Sequence, residues 1–596
     1  MFVTWWGARR FPSSAVIVIL GAAAAAPLVV TLIAVLAQGR WFPAGDMAQA
    51  ELHMRGFFGH PPLVGAAGRI VSDSGIQGSH PGPSLWIAML PVYLIGGRSS
   101  GALMAAVVSV HLASMALALR IAWKRYGTSF ATGLALLFIV IVRSSGPDFV
   151  FEPWNPWLAI FPLALFVLLI DRCLEPETQR RWLVGAVVVG SHCVQCHAGY
   201  AILVAAGLSA VAWKWIRTRG SSSLAWPVAT LVVMWIPPLV DQWRRQPGNL
   251  SILWQHFGSP SEPRLPLADA MRAIATQFNL LGPWLWGPGG THPAESWFRW
   301  IGFVGFLAMV GIAYTTARRL GFRNECRLLI LLMGGFVVAA FSISRLFGPY
   351  FEYTIRWAWI LAGLVLLTCL TILVRAWLPR SEDERRRSHL AVAGAVLLVA
   401  STWSSVATAA DVHVPGPTDS AIIDGLAPQV SVLPKDSMYL VRFWDPYTLN
   451  ATGFGLVLEL ERRGYTVRVD PTFAAAALPH RTAIEAEVDR VLWVVVGPRN
   501  TQAAADATLE QVGYFDPRDA AERQEAEVLL GEIEKGLRDA GRDELVSSLT
   551  SPGASLLFAE PPLPDEVAED LRTLYRLGQP VGVYLVSPGV SVPSLG

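Results

Sequence analysis

Acidic and basic side chains occur together in the stretch that follows the first apolar segment. Residues 44–83 read AGDMAQAELHMRGFFGHPPLVGAAGRIVSDSGIQGSHPGP. Such a mixture in a Gly- and Pro-rich loop suits a site that holds an anion and removes a proton. The alternative is that the first acid caps a helix and the next two charges form an i,i+4 surface pair. The candidate residues here are Asp46, Glu51, Arg55, Arg69 and His80.

Other polar and aromatic candidates follow at the ends of later apolar segments. Glu152 either contributes a second acid or caps the next helix, and Trp154 either stacks on a ring or anchors the chain at a membrane interface. Arg356 either binds an anion or snorkels beside Glu352. The remaining candidates are Asn155, Gln195, His197, Asp241 and Gln242.

The segment SHCVQCHAGY (191–200) contains the C-x-x-C-H pattern that attaches c-type haem. The pattern occurs once, and both flanks run directly into apolar segments, which leaves little room for a haem pocket. A zinc site would require further ligands, and only His192 lies nearby in sequence. We therefore expect no haem here, and the sequence leaves a divalent metal open.

The composition indicates a polytopic membrane protein. The chain is 53% hydrophobic and 15% charged, with a formal charge of +2, whereas soluble proteins carry about 25% charged residues. Twenty-four tryptophans suit interfacial belts. Arg9 and Arg10 precede an apolar run without a cleavage pattern, which predicts a retained first span with a cytoplasmic N-terminus.

Charge distribution predicts which apolar segments cross the membrane. Twelve apolar segments occur between residues 13 and 409, but twelve crossings would place several Arg-rich loops outside. Segment 83–97 is short and interrupted by Pro, below the ~20 residues that a crossing requires. If it is re-entrant, eleven crossings remain, and residues 39–82, 143–155, 241–298 and 344–353 are external.

The tail after residue 410 reads as a soluble α/β domain on the outside. Alternating and continuous apolar runs predict strands, and amphipathic periodicity predicts helices. No G-x-G-x-x-G or P-loop motif supports a nucleotide site. The predicted strands are 437–443, 465–470, 490–497 and 580–588, and the predicted helices are 453–464, 517–540 and 564–577. The sequence thus predicts two domains, 1–410 in the membrane and 411–596 outside.

Residues 13–410 resemble the GT-C superfamily of membrane glycosyltransferases, and more narrowly its actinobacterial members. The resemblance rests on an acidic motif straight after span one, a Pro-rich entry to the next segment and several recurring segments. These are GDMAQAEL (45–52), HPGP (80–83), EPWNPW (152–157), VQCHAGY (194–200), WIPPLVDQW with PGNL (235–250) and YTIRW (353–357). GT-C enzymes often carry paired acids, whereas Asp46 has no adjacent acid.

The resemblance implies roles for the candidates. Asp46 becomes the catalytic base, and Glu152 the second acid that orients the acceptor or binds a metal. Arg69, His80 and Arg356 become ligands of the donor phosphate. The other eight candidates become contacts to the substrates, with Gln195 and His197 at the mouth of a cavity. They are Glu51, Arg55, Trp154, Asn155, Gln195, His197, Asp241 and Gln242.

The expected activity is a membrane glycosyltransferase of the bacterial plasma membrane. It would move an arabinose- or mannose-like sugar from a polyprenyl-phosphate donor to a glycan, lipid or protein acceptor on the outer face, by an inverting single displacement. Membrane lipids are expected partners, and nucleic acid is not. The alternative is a transporter or flippase of a lipid-linked sugar, which predicts internal repeats and ionisable residues within spans.

Overall fold

The computed structural model describes residues 13–260, 262–287, 292–348, 350–377, 384–549, 556, 559, 562–592 and 594–595. Arg9 and Arg10, on which the prediction of a cytoplasmic N-terminus depends, lie outside these residues. Among the described residues up to 410, the regular elements are helices except for one small hairpin. In chain order they form α1 (Ser13–Leu36), α2 (Gly45–Arg55), β1 (Ala67–Val71), β2 (Gln77–Ser79), α3 (Ser84–Ile95), α4 (Ser100–Tyr126), α5 (Thr128–Ser145), α6 (Asp148–Phe151), α7 (Asn155–Leu158), α8 (Ile160–Cys173), α9 (Arg180–Cys196), α10 (Ala201–Arg219), α11 (Ala225–Arg244), α12 (Asn249–Gly258), α13 (Leu267–Gln277), α14 (Pro283–Trp286), α15 (Phe298–Leu320), α16 (Arg323–Ile343), α17 (Ala358–Trp377) and α18 (Glu384–Ala410).

Ten stretches of helix in the described residues are long and apolar enough to cross a membrane. They comprise α1, α4, α5, α7 with α8, α10, α11, α15, α16, α17 and α18. Helix α9 has 17 residues and packs against α8 and α11. With α9 added, the described residues contain a helix at each of the eleven predicted crossings.

Helix α3 corresponds to the predicted re-entrant segment. Its 12 residues span roughly 18 Å at ~1.5 Å per residue, well short of the ~30 Å hydrocarbon core. Trp86, Met89 and Tyr93 are completely enclosed by protein. The Ser84 N–H at its start donates to Gln195 Oε1 at 3.2 Å. One face of this short helix is therefore packed against protein, while Ile87 and Ile95 on the other face are exposed.

The C-terminal residues fold into an α/β unit around a five-stranded sheet. The strand order is β4-β3-β5-β7-β6, with β4, β3 and β5 parallel and the last two pairings antiparallel. Strand β6 was not predicted, because its sequence EQVGYF carries few apolar residues. The elements are α19 (Pro417–Val430), β3 (Met438–Trp444), α20 (Ala451–Arg462), β4 (Thr466–Val469), α21 (Ala474–Ala477), β5 (Arg490–Val496), α22 (Asn500–Ala505), β6 (Glu510–Phe515), α23 (Ala520–Asp539), α24 (Asp565–Leu577) and β7 (Val581–Val586).

This α/β unit packs on the same end of the helical bundle as the loop after α1. Trp41 Nε1 donates to the Pro415 carbonyl at 2.9 Å, and the Phe42 N–H donates to Ser420 Oγ at 2.9 Å. Helix α20 lies against α2. The first loop and the C-terminal unit therefore lie on one side of the membrane, which an even number of crossings between α1 and residue 411 requires.

Candidate functional site

Asp46 lies in the first turn of α2 and lines a small cavity. Its carboxylate accepts a hydrogen bond from the side chain of Trp154. Part of the side chain is open to solvent, but the surrounding protein raises the pKa of Asp46 above its ordinary value, and the hydrogen bond opposes this effect. A carboxylate whose pKa is raised is a stronger base once it is ionised.

His53 shares this cavity and was not among the predicted site residues. It lies seven residues after Asp46, two helical turns on, so both side chains project from one face of α2. Its ring stacks on Trp86 at 4.7 Å, Nδ1 lies 2.8 Å from the Gln49 carbonyl, and Nε2 has no partner in the described part of the chain. Burial lowers the pKa of His53 to about 4, so the ring is neutral.

Glu51 and Arg55 do not reach this cavity. They follow Asp46 by five and nine residues, which turns them roughly 140° and 180° away around the helix. Glu51 is fully buried and pairs with Arg462 Nη2 at 2.6 Å. Arg55 pairs with Glu461 at 3.3 Å. These two side chains hold α2 against the C-terminal unit, and their contact with substrate stays a prediction.

Glu152 approaches Asp46 from the loop between α6 and α7. Trp157 Nε1 donates to Glu152 Oε2 at 3.4 Å. Burial, together with the negative charges of Asp148 and Asp46, raises the pKa of Glu152 to about 8. Asp148 was missed from the sequence, although it stands one helical turn before Glu152. Burial raises the pKa of both acids, and the negative charge of Asp46 further raises that of Glu152, which favours a protonated Glu152 at neutral pH.

Aromatic rings form the wall beside these acids. The rings of Trp154 and Trp157 meet edge to face at 4.8 Å, and Tyr353 lies 4.6 Å from Trp154. Trp154 thus carries out two tasks, since it also donates a hydrogen bond to Asp46. The aromatic wall has the apolar surface on which sugar rings stack.

Arg356 is a buried cation next to this wall. Its guanidinium carbon lies 4.5 Å from the centre of the Trp157 ring and 5.0 Å from that of Trp359. The residue is 7% exposed, and its Nε has no hydrogen-bond partner among the described residues. Burial lowers the pKa of Arg356 to about 10, and Glu352 opposes this effect. The side chain therefore remains charged at neutral pH and is available to an anion.

Arg69 lies at the rim of the same region. It pairs with Glu262 at 3.8 Å, and its guanidinium lies 4.8 Å from the centre of the Phe351 ring. Phe351 stacks on Tyr353 at 5.4 Å. The side chain is 54% exposed, so Arg69 can meet a ligand that enters from solvent.

His80 and His197 stack on each other at 4.8 Å. His80 Nδ1 accepts from the Ala198 N–H at 3.3 Å, and His197 Nδ1 accepts from the Gly199 N–H at 3.2 Å. Burial lowers the pKa of His80 well below its usual value and that of His197 to about 4. As neutral rings they hold the turn that follows α9, and the role of His80 as a phosphate ligand stays a prediction.

The four remaining candidates connect backbone segments. Asn155 Nδ2 donates to the Cys196 carbonyl at 3.1 Å, and Gln195 Nε2 donates to the Met234 carbonyl at 2.7 Å. Asp241 accepts from the Asn249 N–H at 2.8 Å, and Gln242 accepts from the Ser251 N–H at 3.0 Å. Asn155 lines the cavity of Asp46, whereas the other three side chains are occupied in fixing loops.

Asn249 was missed from the sequence and joins these loops. Its Oδ1 accepts from the Ser79 N–H at 2.8 Å, and its Nδ2 donates to the Ser79 carbonyl at 2.9 Å. It therefore pairs with strand β2 as a backbone segment would. The segment PGNL (247–250) could have indicated this residue, because Pro and Gly form a turn and Asn249 begins the next helix.

Cys193 and Cys196 are buried in the packing of α9. Cys193 Sγ lies 3.9 Å from the Ala159 carbonyl, and Cys196 Sγ lies 3.5 Å from His192 Nε2. Both thiols are thus buried among protein side chains. In the described residues, neither Asp46 nor Glu152 belongs to a set of three His, Cys, Asp or Glu ligand atoms within 4.8 Å of one another.

An apolar groove of about 770 Å³ runs between α8, α10 and α16. It follows α16 from Arg323 to Val338, roughly 22 Å at ~1.5 Å per residue. Its far end is walled by Leu203 and by Leu361, five residues after Arg356. Tyr200 and Trp357 meet at 6.0 Å near this end. The groove thus leads from the opposite membrane face towards the buried cation.

ArnT from Cupriavidus metallidurans, solved with undecaprenyl phosphate, superposes on the chain with a TM-score of 0.52. The match has 14% identity and covers 83% of this chain and 96% of ArnT. The chain therefore has the same fold as ArnT. In this chain α2, the α6–α7 loop and the segment before α17 lie together at one end of the bundle.

Two further solved structures are similar at lower scores. The archaeal oligosaccharyltransferase AglB from Archaeoglobus fulgidus, in complex with an inhibitory peptide and a dolichol-phosphate, gives a TM-score of 0.42 at 12% identity, with 84% of this chain and 70% of AglB covered. The arabinofuranosyltransferase AftD from Mycobacteria gives 0.34 at 15% identity, with 81% and 32% covered. No protein-family model matches the chain, and no curated protein matches it.

Proposed function

We propose that the protein is a membrane glycosyltransferase that takes its sugar from a polyprenyl-phosphate donor. The observation that carries this proposal is the charge pattern at one end of the bundle. A buried arginine, Arg356, lies beside Trp157, while Trp157 and Trp154 also hold the two acids Glu152 and Asp46. A phosphosugar needs such an arrangement: a cation for the phosphate, an aromatic face for the sugar and a base for the acceptor.

The groove offers a place for the lipid tail. Its walls are mainly apolar, and they include Leu361, which follows Arg356 by five residues. ArnT, which has the same fold, was solved with undecaprenyl phosphate. A prenyl chain in this groove would place its phosphate at Arg356, and Arg69 at the rim would add a second positive charge.

The proposed reaction is a single displacement. Asp46 takes the proton of an acceptor hydroxyl, whose oxygen attacks the anomeric carbon as the bond from that carbon to the phosphate oxygen breaks. Arg356 stabilises the charge on the departing polyprenyl phosphate. Glu152, protonated at neutral pH, donates a hydrogen bond that orients the acceptor. Attack from the side opposite the phosphate inverts the anomeric centre.

The proposal includes an orientation. We place residues 1–410 in the plasma membrane as the catalytic domain, and residues 411–596 outside as a domain that receives the acceptor or a partner. The N-terminus would then be cytoplasmic. A reporter fused after residue 596 should be accessible from outside in intact cells, and a cytoplasmic reporter would refute this orientation.

Transfer by the purified full chain tests the activity. The donors are a panel of polyprenyl-phosphate sugars that includes arabinose and mannose, and the acceptors are cell-envelope glycans, lipids and peptides. Asp46→Asn should lower kcat by at least roughly 100-fold, the lower range for loss of a general base. Asp73→Asn is the matched control, because Asp73 is an exposed acid in the same loop.

The outcome also separates the enzyme from a flippase. Loss of transfer in Asp46→Asn with retention in Asp73→Asn supports the assignment of the base. Normal transfer by Asp46→Asn would refute it. Translocation of lipid-linked sugars by wild type without any transfer product would favour a transporter.

A further inference from the structure

Three side chains of the types that bind metal ions come from two separate loops and lie beside the proposed phosphate site. His292 and Glu295 belong to the long connection between α11 and α15, and Glu352 begins the short 3-10 helix that ends just before Arg356. One ligand atom from each of the three side chains lies within 4.8 Å of the others. Within the described residues, no other three His, Cys, Asp or Glu side chains meet this criterion.

His292 provides independent evidence that something binds between these side chains. It is only 4% exposed, and neither ring nitrogen makes a hydrogen bond in the described part of the chain. Its Nε2 lies 3.4 Å from Glu295 Oε1 and therefore points towards the carboxylates. A buried imidazole whose two nitrogens make no hydrogen bond is costly unless a ligand satisfies them.

The loop around His292 is held in place by neighbouring contacts. Arg299 donates from Nε to the Ala294 carbonyl at 3.1 Å and from Nη2 to the Glu295 carbonyl at 2.7 Å. Thr276 Oγ1 donates to the same Ala294 carbonyl at 3.3 Å. These bonds fix the backbone of the loop, while the side chains of Glu295 and His292 project to Glu352. The site is thus preorganised from the α13 and α15 sides.

We infer that His292, Glu295 and Glu352 bind a divalent transition-metal ion. One imidazole and two carboxylates suit zinc or manganese, and three protein ligands leave at least one coordination position for another molecule. Two carboxylates this close repel each other, and a dication removes that repulsion. The inferred site does not use Asp46 or Glu152, so it does not depend on the proposed base.

The position of the site suggests what occupies the open coordination position. Glu352 and Arg356 stand four residues apart, at opposite ends of one 3-10 turn, and their charges interact. A metal ion there adds positive charge beside Arg356, and a phosphate oxygen is the group that both cations attract. This second step rests on the proposed function, whereas the metal binding itself does not.

Metal binding is measured directly on the full chain purified in detergent and stripped with chelator. We expect zinc or manganese to bind with a stoichiometry of about one per chain and to raise the thermal midpoint. Loss of a residue that only hydrogen-bonds to a metal ligand weakens metal affinity roughly 10- to 100-fold. Because Glu295 and Glu352 are inferred to bind the metal directly, Glu295→Gln and Glu352→Gln should weaken binding by at least about tenfold. Both changes preserve side-chain volume.

Asp269→Asn is the matched control, since Asp269 is an acid on the same connection that pairs with Arg272. It should bind metal like wild type. Absence of metal binding by wild type at micromolar concentration, or unchanged binding by Glu295→Gln and Glu352→Gln, would overturn the inference. Metal binding by a chain that shows no sugar transfer would leave the inference intact and count against the proposed function alone.

Discussion

The ion pair between Glu51 and Arg462 should be a major part of the attachment of the C-terminal unit. Glu51 is fully buried, receives Arg462 Nη2 at 2.6 Å, and accepts from the Ser100 hydroxyl at 2.7 Å. Arg462 also reaches Glu459 at 3.4 Å. The two partners are therefore unequal: Arg462 has a second carboxylate, whereas Glu51 has one cation.

This asymmetry predicts which of two variants loses more of the free energy of unfolding. Arg462→Met leaves the Glu51 carboxylate buried without a cation, which costs about 3–5 kcal/mol. In Glu51→Gln the side-chain oxygen still accepts hydrogen bonds from Arg462 and Ser100, and Arg462 still pairs with Glu459. We therefore expect this variant to lose only about 1.5–3 kcal/mol of unfolding free energy. The double variant Glu51→Leu with Arg462→Met removes both charges and should cost less than Arg462→Met alone.

The assay is chemical unfolding of the purified full chain in detergent, followed by circular dichroism. Arg538→Met is the matched control: Arg538 pairs with Glu534 at 3.1 Å, but both side chains are largely exposed, so at most about 1 kcal/mol is expected. Equal midpoints for Arg462→Met and Arg538→Met would refute the reasoning. If Glu51→Gln unfolds like wild type but binds the donor more weakly, the result would support a role for Glu51 in substrate binding.

Two further predictions concern the acids and the cation of the site. The pKa of Glu152 is raised to about 8 and the proposed role uses its protonated form, so the rate of transfer should fall as pH rises through 8. Glu152→Gln should remain active, and its rate should not fall over this pH range. An inactive Glu152→Gln at neutral pH would show instead that the carboxylate is needed. Arg356→Lys retains the charge but loses the planar contact with Trp157 and Trp359, so kcat/KM for the donor should fall roughly 30-fold, from about 2 kcal/mol of lost cation–π stabilisation; unchanged kcat/KM would contradict the assignment.

The sequence by itself determined the elements whose cause is local. Long apolar runs are typical of membrane spans, and the shortness of segment 83–97, together with the charges of the flanking loops, predicted a segment that does not cross. The C-terminal strands β3, β4, β5 and β7 were predicted within one or two residues, because continuous apolar runs bounded by turns are typical of buried strands. The half-polar edge strand β6 carried no comparable signal.

Side-chain roles in the site were decided partly by helical phase and mostly by tertiary contacts. The seven-residue spacing from Asp46 to His53 was present in the sequence, and so was the opposite phase of Glu51 and Arg55. What could not be predicted was that α20 covers that opposite face and supplies Arg462. The local sequence of α2 cannot distinguish a charged residue that contacts substrate from one that pairs with the C-terminal unit.

The site itself depends on contacts between residues far apart in the chain. Arg356 became a buried cation because Trp157 and Trp359 enclose it, and His292 met Glu352 because two loops close over the same end of the bundle. Burial raises or lowers each pKa, and burial is a property of the packed fold. The sequence determined which groups are able to do the chemistry, and the tertiary structure decided which of them meet and in what charge state.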